Sequence, residues 1–262
     1  MAANTGFVTI GDAEIEVTRC GTGPALVLLP SEDMREANGA FVEGLARDFE
    51  VIIPSPPGFG RSTLPDWMTT VDDIAYVMLS LLDRLEIGNV PVIGASLGGW
   101  VAAEMATKEP RCFSRLVLID PVGVKFAEPS ARDIADIWQL SPAKVAALRW
   151  HDIEKGKRDT KAMSDNEVAM MVRDQQSLAR FCWEPYMHNP KLKHRLDRIT
   201  APTLFLWGEH DGIAGIDYGH AYSKLISGAA FETVADAGHY PHLENPGATL
   251  NVVRAFLGGA SR

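Results

Sequence analysis

The pentapeptide Gly94-Ala95-Ser96-Leu97-Gly98 puts a serine between two glycines, where an apolar run at Pro91–Ile93 meets an amphipathic helical stretch at Ser96–Lys108. A G-x-S-x-G in that setting makes a tight strand-to-helix turn that lifts the hydroxyl clear of the sheet edge. A serine becomes a useful nucleophile only when a base takes its proton and a third group fixes the base in one tautomer. Two later segments offer those groups. "LFLWGEHDGIAG" delivers Asp211 just past a strand at Thr203–Trp207, and "VADAGHYPHLENP" delivers His239 between a strand at Phe231–Val234 and a helix at Asn245–Leu257. The competing structural role for Ser96 is an N-cap in a glycine turn that packs helix on strand.

Spacing alone leaves rivals. His242 and His210 stand beside the candidate base and acid, and Asp120 ends the strand "LVLID". His239-x-x-His242 lacks a third ligand and the HExxH helix of a zinc site, so no metal and no cofactor is expected.

The elements that must position these residues follow a regular order. "FVTI", "AEIEVTRC", Ala25–Leu29 and "FEVIIP" read as strands, the first two around a Gly-Asp turn. Helices at Val71–Leu85, Ser96–Lys108 and Asn245–Leu257 then alternate with strands at Pro91–Ile93, Leu116–Ile119, Thr203–Trp207 and Phe231–Val234. This alternation predicts an α/β fold with a mostly parallel sheet and helices on both faces, opened by an antiparallel meander. Between Pro121 and Arg198 the strand signal is replaced by helix starts at Ser130, at Ser141-Pro142 and at the capping box Ser164–Glu167. Residues 121–198 therefore read as a helical cap inserted into one core domain, 1–120 and 199–262.

Composition narrows the partners. The 262 residues are 46% hydrophobic, enough for a packed core, and the net charge of −9 speaks against nucleic acid or an anionic membrane. No apolar run approaches the ~20 residues of a membrane helix, and the N-terminus carries no secretory pattern. Cys20, Cys112 and Cys182 are odd in number and widely spaced, as expected of reduced thiols in a cytoplasmic protein. A small-molecule substrate is the expected partner, with a monomer and a homodimer equally compatible with the sequence.

Four segments together resemble the α/β-hydrolase fold superfamily over essentially the whole chain: "LVLLP" with its loop, "PPGFGRS", "GASLGG", and the pair "WGEHD" and "AGHYPHLENP". The resemblance implies Ser96 as nucleophile, His239 as general base and acid, Asp211 as the orienting carboxylate, and the backbone N–H of Leu97 as one oxyanion donor. It favours His239 over His242, because the base of this family directly follows Ala/Gly. Some members carry the acid where Asp120 stands. The family's His-Gly after the third strand is replaced by Pro30-Ser31, so the second donor falls on the Glu32 N–H, which any residue but proline supplies. A carboxylate there would oppose an oxyanion, so the Glu32 side chain is expected to point away or toward a basic partner. Ser55 stands where the family usually has aspartate and is expected to serve as a hydrogen-bonding turn residue.

The cap carries Trp138, Trp150, Phe181, Trp183, Tyr186 and several methionines. Candidate pocket residues are Ser31, Trp138, Arg173, Trp183, Tyr186 and Tyr240. Arg173 resembles the cap arginine of carbon–carbon bond hydrolases acting on meta-cleavage products, although those enzymes have Asn and Trp where this chain has Ala95 and Tyr240. The resulting expectation is a serine hydrolase of the carboxylesterase type. Carbon–carbon hydrolysis is the second reading, and a ligand-binding protein or weakened enzyme the third.

Overall fold

The computed structural model describes residues 3–36, 39–128 and 131–258. Strands β1 (Asn4–Ile10), β2 (Ala13–Cys20), β3 (Ala25–Leu29), β4 (Glu50–Pro54), β5 (Val90–Ala95), β6 (Phe113–Ile119), β7 (Thr203–Gly208) and β8 (Ala230–Val234) form one eight-stranded sheet. Their order is β1-β2-β4-β3-β5-β6-β7-β8. The expected meander is present, with β1–β2 and β2–β4 antiparallel and every later pair parallel.

Helices in chain order are α1 (Ala40–Leu45), α2 (Val71–Arg84), α3 (Leu97–Lys108), α4 (Pro142–Arg149), α5 (Ile153–Gly156), α6 (Asp165–Cys182), α7 (Ile216–Ser223), α8 (Pro241–Glu244) and α9 (Pro246–Leu257). Period-two alternation decides which side chains face which layer. Val27 and Leu29 pack with α2, α3 and α7 on one face, while Leu26 and Leu28 pack with α1 and α9 on the other. The sheet is buried on both sides, so its parallel strands read as apolar runs.

Between β6 and β7 the described residues form α4, α5, α6 and two 3-10 turns. Their contacts to the sheet layer are specific. Ser177 Oγ donates to Gly58 O at 2.7 Å, Arg180 Nε donates to Met68 O at 2.8 Å, and Asp174 Oδ1 accepts from Gly60 N at 2.9 Å. Ser141 caps α4 by accepting from Lys144 N, and Ser164 and Glu167 close both bonds of the capping box. Ser130 lies outside the described residues.

Sequence pattern alone did not mark α1 or α7. In α7, "IDYGHAYS", Gly219 sits mid-helix where propensity argues against it. A Cβ there would meet the Trp207 ring at 2.7 Å, so close helix-on-strand packing explains the residue.

Candidate active site

Ser96 stands between β5 and α3 with φ +47° and ψ −112°, a conformation that costs a non-glycine residue energy and recurs at functional turns. Its flanking glycines explain how the turn closes. A Cβ on Gly98 would collide with the carbonyl oxygens of Leu29 and Pro30, and one on Gly94 would strike the Gly98 carbonyl. Ser96 makes no side-chain cap bond to α3, which removes the N-cap role.

Its hydroxyl instead lies 2.8 Å from His239 Nε2, and His239 Nδ1 lies 2.7 Å from Asp211 Oδ2. The other Asp211 oxygen accepts from the backbone N–H groups of Ile213 at 2.7 Å and Ala214 at 3.1 Å, which fixes the carboxylate plane. With Asp211 holding the proton on Nδ1, Nε2 is free to accept the serine proton. The loop bearing the imidazole is itself fixed. His239 N donates to Arg149 O at 2.7 Å, at the end of α4, and Gly238 N donates to Glu244 Oε2 at 2.7 Å. All three side chains are buried.

His242 and His210 are placed elsewhere, whereas Asp120 lies in the same buried cluster, with its carboxyl group, that of Asp211 and the His239 ring within 4.8 Å of one another. His242 Nε2 meets Glu36 Oε1 at 3.1 Å, and the same oxygen accepts from Ser31 N at 2.8 Å and Ser31 Oγ at 2.5 Å. That buried cluster pins the loop after β3. His210 stacks on His151 at the surface, with ring centroids 4.1 Å apart. Asp120 Oδ1 accepts from Gly208 N at 2.9 Å, whereas its second oxygen is buried without a partner. Burial, and then the charge of Asp211, push the Asp120 carboxyl well above the usual carboxylate range.

The loop after β3 places Glu32 beside this centre. Tyr240 Oη donates to Glu32 Oε1 at 2.7 Å, and Arg149 Nη2 lies 3.8 Å from the same oxygen. The basic partner expected for Glu32 is thus Arg149. The carboxylate nevertheless stays close to the chemistry, facing its own backbone N–H and within reach of the His239 charge. Burial raises its pKa most strongly, but Arg149, His239, the Tyr240 hydroxyl and that N–H together hold it below the usual range. Leu97, the other expected donor, is the first residue of α3, where a backbone N–H has no intrahelical acceptor. Ser55 Oγ donates to Glu16 Oε2 at 2.9 Å, a hydrogen-bonding role in the turn it was expected to support.

The model of the alpha/beta hydrolase family matches residues 26–252. The chain belongs to this family. Among curated relatives, this hydrolase is 27% identical to the biotin biosynthesis bifunctional protein BioHC of Teredinibacter turnerae over 82% of the chain. It spans 40% of that longer protein. It is 26% identical to pyrrolizixenacetamide deacetylase of Xenorhabdus hominickii, over 95% of the chain and 97% of the relative. It is also 26% identical to 2-hydroxymuconate semialdehyde hydrolase of a Pseudomonas strain, over 82% and 79%. Among solved structures, a membrane phospholipase A described as a bacterial virulence factor aligns over 98% of this chain and 86% of its own. That pair has a TM-score of 0.80 at 22% identity, a likeness of fold.

A cavity of about 370 Å³ opens beside Glu32, lined among others by Trp138, Arg149, Trp150, Met171 and Asp174. Of the candidate pocket residues, Trp138 lines this cavity. Arg173 does not: its guanidinium donates to the carbonyls of Gly60 and Ser62, because its face of α6 packs on the Gly58–Met68 segment. Trp183 is 59% exposed and packs on Trp138 at 5.2 Å. Tyr186 holds the Ala135 carbonyl and the Ile137 N–H, and Ser31 belongs to the Glu36 cluster. Tyr240 packs between His239 and Trp150, with centroids at 5.0 and 5.2 Å.

Sequence reasoning missed Arg149, the cation nearest Glu32. "LRWHD" contains no motif, and the one available signal was a basic residue in the last turn of α4.

Among the described residues no helix is long and apolar enough to cross a membrane.

Proposed function

We propose that this hydrolase cleaves a carboxylic ester, or a related acyl bond, of a small and largely apolar substrate through an acyl-enzyme on Ser96. The observation that carries the reading is the unbroken chain from Ser96 Oγ through His239 to Asp211, at 2.8 and 2.7 Å. Ser96 Oγ attacks the carbonyl carbon as its proton passes to His239 Nε2, and the imidazolium is stabilised by Asp211. The N–H groups of Leu97 and Glu32 receive the negative charge that develops on the carbonyl oxygen. For the second of these to serve, the Glu32 N–H points at that oxygen while the carboxylate keeps Tyr240 and Arg149. His239 then protonates the departing alcohol, and a water activated by the same nitrogen hydrolyses the acyl-enzyme.

Residues 121–198 act in this reading as the cap, with the end of α4 against the His239 loop and α6 over the Gly58–Met68 segment. Three free cysteines suit a reducing compartment, and we place the enzyme in the cytoplasm.

Carbon–carbon hydrolysis is the second reading, favoured by the likeness to 2-hydroxymuconate semialdehyde hydrolase. Its original support, Arg173, is engaged with loop carbonyls, and the cations that line the cavity are Arg149 and Arg158.

Turnover of aryl esters of graded chain length by wild type and Ser96→Ala tests the proposal. The variant is expected to lose about 10³-fold or more in kcat with its unfolding midpoint unchanged. Retained turnover would remove Ser96 from its role, and efficient cleavage of dienoic keto acids with none of esters would favour the second reading.

A further inference from the structure

Glu32 is 6% exposed, and only one of its carboxylate oxygens is satisfied by the protein. Oε1 receives the Tyr240 hydroxyl and faces Arg149, whereas Oε2 is buried with no hydrogen-bond partner. An ionised carboxylate offers about four acceptor positions, and leaving one oxygen bare in a protein interior is unfavourable until a donor arrives. Tyr240 and Arg149 contact the carboxylate, its own backbone N–H stands beside it, and His239 and the Cys182 thiol lie within electrostatic reach; burial and then Glu32 itself push that thiol well above its ordinary pKa. Cys182 therefore stays protonated. The same residue lines the cavity and carries the second expected oxyanion donor on its backbone. Its side chain thus starts beside the point where a substrate carbonyl oxygen must sit.

We propose that Glu32 Oε2 is a substrate-binding group that accepts a hydrogen bond from a hydroxyl or N–H on the carbon next to the scissile carbonyl. The inference rests on the serine hydrolase reading and narrows its substrate to 2-hydroxy- or 2-amino-substituted acyl groups. An acyl group with a carboxylate at that position meets Glu32 as a like charge and is rejected. Tyr240 and Arg149 keep the receiving carboxylate in place, since both bind the oxygen the substrate does not use.

The test compares phenyl glycolate, phenyl methoxyacetate and the phenyl half-ester of malonic acid as substrates of wild type, Glu32→Gln and Glu32→Ala. A preference expressed as a ratio of kcat/KM values within one variant cancels differences in the folded fraction, so a merely structural role for Glu32 leaves it unmoved. Wild type is expected to favour the glycolate over the methoxyacetate by about tenfold or more, because a site built around a donor rejects the analogue that lacks it. Glu32→Ala is expected to bring that ratio to about one, and Glu32→Gln to raise the relative rate on the malonate half-ester. A wild-type ratio near one, or a ratio that survives in Glu32→Ala, overturns the proposal. Fluorophosphonate labelling of the same three proteins separates the two levels. Labelled Ser96 without donor preference defeats this inference alone, and unlabelled wild type defeats it together with the reading beneath it.

Discussion

Tyr240, the residue directly after His239, donates its hydroxyl to Glu32 Oε1 at 2.7 Å. This bond ties the loop that carries the imidazole to the loop that follows β3, across 208 residues of chain. It also supplies the only short hydrogen bond to that carboxylate from another side chain among the described residues, Arg149 being 3.8 Å away.

Tyr240→Phe keeps the ring packed between His239 and Trp150 and removes the donor. A buried charged acceptor that loses one partner typically costs about 1–3 kcal/mol. The variant is therefore expected to lose stability of that order in urea unfolding, with kcat/KM on esters reduced. Unfolding indistinguishable from wild type would show that the bond contributes nothing.

The two aspartates at the ends of β6 and β7 are expected to differ sharply. Asp211→Asn removes the charge that orients His239 and should lower kcat by about 10³- to 10⁴-fold with the fold intact. Burial and the Asp211 charge favour the protonated form of Asp120, and Asn keeps an oxygen for the Gly208 N–H, so Asp120→Asn should stay within about tenfold of wild type. Steady-state kinetics on one ester decide it, and the reverse order would move the acid to Asp120.

Asp174 gives the pH dependence of stability a definite sign. Burial pushes its pKa up to about 6 against the opposing pull of the Gly60 N–H, Arg173 and Arg158. A carboxyl whose folded pKa is raised contributes stability that is complete below the unfolded value near 3.8 and lost as pH rises through about 6. Asp174→Asn retains an acceptor for Gly60 and should be more stable than wild type at pH 7, by on the order of 2 kcal/mol, with the advantage vanishing toward pH 4. Thermal unfolding from pH 4 to 7 reads the difference. Curves that run parallel would assign the raised value no energetic weight.

What the sequence disclosed follows from how local each feature is. Ser96, Asp211 and His239 were legible because each sits at a strand end with turn residues that specify its own loop. The sheet was legible because strands buried on both faces read as apolar runs between amphipathic helices. Side-chain pairs distant in sequence were not. Nothing local joins Glu32 to Tyr240 or Arg149, and the expectation that Glu32 would find a base gave the kind of partner but neither its number nor the bare second oxygen. The contacts of Arg173 were not legible because they depend on which face of α6 meets Gly60 and Ser62, and a single helix does not reveal its neighbour. The α7 helix escaped because Gly219, unfavourable in isolation, answers to the Trp207 ring in the next layer.

The most direct examination of the proposed chemistry is intact-protein and peptide mass spectrometry after reaction with a fluorophosphonate, on wild type, Ser96→Ala and His239→Ala. One adduct per chain is expected on wild type, located on the peptide containing Ser96, with none on Ser96→Ala and strongly slowed addition on His239→Ala. No adduct on wild type, or an adduct that persists in Ser96→Ala, would contradict the assignment of Ser96 as the activated nucleophile.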